Sequence, residues 1–209
     1  MKLLSKYSVT VALRGFAFMF TCTLLSLFLG SGALSDNDWI GWSLFAGFLI
    51  IYFAIAFYDG SDRGARDAQI TARNERLSAQ GHVVDQDMLD RAYSLKKGMT
   101  IALLIAVPGL VLSLAGLVTL DGLTWLRAVT RVYFSPFLKL YFTQLAPIQY
   151  VLSYFLFSLT YPAVYLLGYA TGPKQYAKQC ETIRKNEEDY KKGIRRKRKA
   201  HKRRRGFFW

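Results

Sequence analysis

Two cysteines and two histidines are all that the 209 residues offer to sulfur or imidazole chemistry. Cys22 lies in an apolar run and Cys180 in a charged segment, so the pair makes neither a disulfide framework nor a metal set. His82 and His201 lack the neighbouring ligands that a zinc site needs. The chain has no G-x-S-x-G, no H-E-x-x-H, no phosphate loop and no C-x-x-C. Those gaps remove the usual signatures of hydrolases, zinc peptidases, nucleotide-phosphate enzymes and thiol redox proteins. No catalytic residue, metal or cofactor is therefore expected, and the chain reads as a non-enzyme. Internal repeats are also missing, and the long apolar stretches hold no Asp, Glu, Lys or His. Ion-coupled transporters usually place such groups in their spans.

Charge is scarce as well as uneven. Charged residues make up 20% of the chain and hydrophobic residues 52%, against about 25% charged in an ordinary soluble domain. The charges gather in the first 14 residues, in 59–97, and from Lys174 onward. Between them lie four apolar runs, at 9–30, 40–58, 99–120 and 148–169. Each is near the roughly 20 residues that a helix needs to cross a bilayer. The expected fold is all-α: a polytopic membrane protein with four transmembrane helices, plus interfacial and cytoplasmic helices. The domain reading is a membrane unit over 1–169 and a basic tail over 170–209. The first run follows Lys2 and Lys6 and resembles a signal segment, but it exceeds a typical h-region and no small-residue cleavage pattern precedes Cys22. It reads as an uncleaved span. Arg14 lies near its start, where its guanidinium can snorkel to headgroups as an interfacial anchor. Pro108 and Pro162 mark bends in two spans, and Trp39, Trp42, Tyr58, Tyr150 and Tyr169 lie near span ends.

The basic residues orient the runs. The connection 31–39 carries Asp36 and Asp38 and no Lys or Arg, whereas 59–97 holds seven Lys and Arg. The positive-inside rule then puts both termini in the cytoplasm, with a bacterial cytoplasmic membrane as the expected location. The cytoplasmic connection reads as a helical hairpin. One helix is capped by Asp62 and stopped by Gly81. A second covers 85–97, with Asp85, Asp87 and Asp90 at its start and Lys96 and Lys97 at its end. Asp59, Asp62 and Asp67 lack the offsets of a calcium loop and read as caps and solvated surface. The outer connection, 121–147, reads as two interfacial helices, with a re-entrant hairpin as the competing arrangement. Ser135 and Pro136 begin the second of these helices. Arg127 and Arg131 share one face, with Trp125 beside them as a further anchor. Ser43/Gly47 and Gly109/Ser113 are small pairs at i,i+4 that allow close helix packing.

From Lys174 the chain has fifteen basic residues against four acids, a net +11 within the +14 of the whole chain. Gly168, Gly172 and Pro173 read as the exit from the fourth span. Arg195, Arg196, Lys197, Arg198, Lys199, Lys202, Arg203, Arg204 and Arg205 form the candidate polyanion-binding set, and Phe207, Phe208 and Trp209 follow as interfacial anchors. Anionic phospholipids are the first expected ligand. Ribosomal RNA or another nucleic acid is the rival, since the same charges meet phosphates and the aromatics stack on bases. Without catalytic motifs, the chain is expected to be a noncatalytic accessory or scaffold subunit, partnered by other membrane protein subunits in transport, secretion or envelope assembly. The alternatives are a ribosome-docking membrane-protein insertion factor, a small permease or channel component, and a membrane enzyme that uses interfacial residues such as Arg127 and Arg131.

Overall fold

The computed structural model describes residues 6–33, 38–118, 129–130, 133 and 147–205, with side chains described over 6–21, 39, 42–115, 129–130, 133 and 154–192. Among the described residues the fold is all helical, without strands. Five helices are defined: α1 (Lys6–Ala33), α2 (Asp38–Ala79), α3 (Gln86–Arg91), α4 (Leu95–Val118) and α5 (Pro147–Arg205). The expected outer helices over 121–147, with Trp125, Arg127, Arg131, Ser135 and Pro136, lie outside the described residues, apart from helical Val129, Thr130, Tyr133 and the Pro147 that opens α5. Phe207, Phe208 and Trp209 also lie outside them.

Within Trp42–Ala79 and Leu95–Ala115 the helices are long and apolar enough to cross a membrane by length and composition, and the buried share of the apolar window is 17% in the first and 39% in the second. These are two such helices among the described residues, where the sequence suggested four spans. In the first and fourth runs, side chains are described over 9–21 and 154–169.

Helices α2 and α5 form the most extensive pair, with α4 on α5 and α1 across α2 and α4. The core gathers Val11, Ala12 and Met19 of α1, Tyr52 and Ala56 of α2, and Ile101, Ala102 and Ile105 of α4. From α5 it takes Tyr161, Tyr165 and Tyr169. The α2–α5 contact is backbone to backbone. A Cβ on Gly60 would run into the Tyr165 carbonyl, one on Gly64 into the Tyr169 carbonyl, and one on Gly168 into the Phe57 carbonyl. At Gly172 it would meet the backbone of Gly64. Gly60/Gly64 and Gly168/Gly172 are each i,i+4, so each helix offers one smooth stripe to the other.

This seam overrides two expected breaks. The α2 helix runs 42 residues without stopping at Tyr58, and Asp62, expected as a cap, lies inside it, paired with Arg66 at 2.9 Å. The α5 helix runs 59 residues through Gly168, Gly172 and Pro173, the expected exit. Glycine usually weakens a helix by about 1 kcal/mol, but here it permits the contact that holds both helices.

The end of α2 follows the sequence more closely. Gly81 has φ +77°, the His82 amide donates to the Leu77 carbonyl, and the Gly81 amide donates to the Ser78 carbonyl. This is a Schellman ending, which glycine adopts without a Cβ clash. The next segment is strapped back onto α2: the Asn74 amide donates to the Met88 carbonyl at 3.0 Å, and the Tyr93 amide to Thr71 Oγ1 at 2.8 Å. The expected helix 85–97 is therefore two elements. It breaks after Arg91, and Lys96 and Lys97 open α4 rather than ending α3.

Of the expected small-residue pairs, Gly109 and Ser113 do meet α5. Ser113 Oγ donates to the Gly109 carbonyl and lies 3.2 Å from Ser158 Oγ. The other pair does not pack: Gly47 has open space around it, and Ser43 bonds back to the Trp39 carbonyl.

Candidate functional site: a buried charge junction and a projecting helix

Beside the glycine stripe on α2 runs a second stripe, Asp59, Arg63 and Asp67, again at intervals of four. Drawing α5 against the glycines draws this charged stripe into the bundle. Asp67 is 1% exposed and Lys97 of α4 is 2% exposed, and they form an ion pair at 2.6 Å. Solvated surface was the sequence expectation for Asp67. The structure corrects it, because the neighbouring Ala68 and Gly64 pack inward and carry Asp67 with them.

Every polar atom of the pair is engaged. Asp67 Oδ1 accepts from the Tyr7 hydroxyl at 2.9 Å, and Oδ2 accepts from the Tyr169 hydroxyl at 2.7 Å and from Lys97. Lys97 Nζ also donates to the Arg91 and Ala92 carbonyls at 2.8 and 2.7 Å. An ammonium at those carbonyls closes the C-terminal end of α3 and complements its dipole. The Lys97 ammonium also lies 5.1 Å from the centre of the Tyr7 ring, and Tyr93 stacks on Tyr169. All five helices thus meet at one carboxylate–ammonium pair.

Burial pushes the Lys97 ammonium down from its usual range, and Asp67 opposes that shift. Burial, reinforced by Asp67, pushes the Tyr7 phenol up to about 12. Eight residues back along α2, burial raises the Asp59 carboxyl, while Arg63 and Arg14 pull it down. Chemically the junction is a lock. Its carboxylate has no free oxygen to take a substrate proton, and its ammonium spends its three hydrogens on protein oxygens. Among the described residues, no three His, Cys, Asp or Glu side chains come together as a metal site.

Arg14, the expected anchor in α1, is exposed, with its guanidinium 5.6 Å from the centre of the Phe18 ring. The nine basic residues from Arg195 to Arg205 fall in the last turns of α5. Between the bundle and those turns, α5 is exposed on every side from Ala177 to Lys192. The expected binding residues therefore stand on an arm, away from the junction. The sequence reading missed the junction itself. Its signal was available: Asp67 precedes Ala68 in the small-residue series 60, 64, 68, and Lys97 precedes Gly98, where a Cβ would strike the Tyr169 ring.

Comparison of the chain with protein-family models, with curated proteins and with solved structures finds no match.

Proposed function

We propose that the chain is a noncatalytic accessory or scaffold subunit of a larger membrane assembly, with four spans, both ends in the cytoplasm, and an arm whose basic end binds an anionic lipid surface. The carrying observation is the continuity of α5. One helix passes from the buried tyrosines of the bundle into a segment exposed on all sides, so the basic residues are held out on the bundle's own framework. The lipid-facing reading of the bundle is supported by exposed apolar side chains on three helices: Ile50 and Ile51, Leu103 and Val111, Leu156 and Leu167. In water such a belt would be a large adhesive patch. Basic residues near an anionic leaflet contribute about 1 kcal/mol each.

The test is purification of the tagged chain from native membranes into nanodiscs, whole and ending at residue 192, followed by identification of protein, lipid and RNA in the particle. The expected result is a stoichiometric membrane partner in both preparations, with anionic lipid enriched only with the whole chain. A homogeneous particle without a partner overturns the subunit reading. Ribosomal RNA and ribosomal proteins that disappear with the tail overturn the lipid assignment in favour of ribosome docking.

A further inference from the structure

The exposed part of α5 has a pattern that polyanion binding does not use. Tyr176, Cys180, Ile183, Glu187 and Tyr190 recur at alternating intervals of four and three, the a/d seam of a heptad repeat. With Cys180 and Glu187 at a, the d positions are Tyr176, Ile183 and Tyr190. The f positions, opposite the seam, are Lys178, Lys185 and Lys192. On this otherwise charged helix Ile183 is 58% and Tyr190 72% exposed, while Tyr176, nearest the bundle, is half-buried.

We infer that this seam is a homotypic interface: two copies of the chain pair their α5 arms side by side as a short parallel coiled coil. Two features select a second copy, and select it in parallel. Copies inserted in one bilayer with one orientation project their arms from the same face in the same direction; on this point the inference rests on the membrane placement proposed above. The flanking charges agree. In a parallel pair the e positions, Arg184 and Lys191, face the g amides Gln179 and Asn186, and cation meets carbonyl oxygen. In an antiparallel pair e faces e, and bases face bases. Each arm also screens one of its e charges, since Arg184 lies 3.8 Å from Glu188 on the same helix. Glu187 is the one charged seam residue; in a parallel pair it faces Glu187 of the second copy, a like-charge contact that lowers the strength of the pair. A seam of about two heptads is weak in dilute solution. Confinement to one membrane raises the effective concentration enough for a weak seam to matter.

Cys180 reports the contact directly, because facing a positions in a parallel pair fall within the Cα separation of about 6 Å that a disulfide needs. The experiment uses the full chain in native membranes with Cys22→Ser, mild oxidation, and non-reducing gels. Its comparison variant carries Cys22→Ser, Cys180→Ser and Lys185→Cys, which moves the thiol to the far face. The expected result is a disulfide-linked band at twice the chain mass, at least several-fold stronger for position 180 than for 185. Adding Ile183→Asp should weaken the position-180 band roughly tenfold. Equal bands at the two positions mean random collision and overturn the inference. So does no band at 180, or a band that joins Cys180 to a different protein. Sedimentation of the chain with membranes is scored first. Failure there defeats the membrane placement, whereas membrane-bound chain without a position-180 band defeats the pairing alone.

Discussion

Asp67 shows how much one buried carboxylate can organise. Removing either charge of the pair leaves the other buried and uncompensated, which costs about 3–5 kcal/mol. Asp67→Asn and Lys97→Met should each lower the melting temperature in detergent sharply. The double variant Asp67→Asn/Lys97→Met should lose far less than the sum, because no orphaned charge remains. Additive losses would show that the two groups do not interact. Tyr7 gives a pH signature. Its phenol is raised from 10.0 to about 12, so the folded chain holds that proton more tightly than the unfolded one. The stability this supplies is complete below about pH 10 and is lost as the pH rises through about 12. Thermal melts between those values should fall steeply for the native chain and less steeply for Tyr7→Phe, which lacks the titrating group. Asp59 has the opposite consequence for design: burial works against its charged form. Above the raised pKa its ionisation costs stability, so Asp59→Asn should raise the melting temperature at neutral pH, and the gain should shrink on acidification.

Among the helices, the decisive features are the paired glycine stripes of α2 and α5. A methyl group at Gly60, Gly64, Gly168 or Gly172 meets backbone, which cannot rotate away. Gly64→Ala or Gly168→Ala should destabilise the bundle by at least the roughly 1–3 kcal/mol of an overpacked core. Gly47→Ala, which enters open space, should be neutral or slightly stabilising through helix propensity. Comparable effects at Gly47 and Gly64 would refute the seam. These elements also show what could be read from the chain beforehand. The apolar runs placed the bundle's helices, and Gly81 announced the end of α2 through its own backbone preference. The continuity of α2 and α5 could not be read locally, because Gly60, Gly64, Gly168 and Gly172 look like breaks until their partner stripe is known. The same holds for the junction. Lys97 has a helix-ending charge in sequence but a helix-opening position in the fold, since its ammonium reaches back to α3 and across to Asp67.

As a whole, the molecule has an apolar-sided bundle fixed at one end by charge and an arm that leaves it as a continuation of α5. From Lys174 to Arg205 the arm is about 48 Å long at 1.5 Å per residue. Proteoliposomes with the arm outward should therefore hold a second population of anionic vesicles at a distance, and high salt should release them. Neutral vesicles that bind equally well would remove charge as the cause.

The buried pair also imposes an order on synthesis. Asp67 and Lys97 leave the ribosome long before Tyr169, yet Tyr169 supplies one of the hydroxyls that satisfies the carboxylate and covers Gly98. Until the last helix is made, the chain carries an open acid–base pair at the mouth of an unfinished bundle. A chain that stops before α5 leaves that pair uncovered, together with the glycine stripe of α2 on which α5 packs.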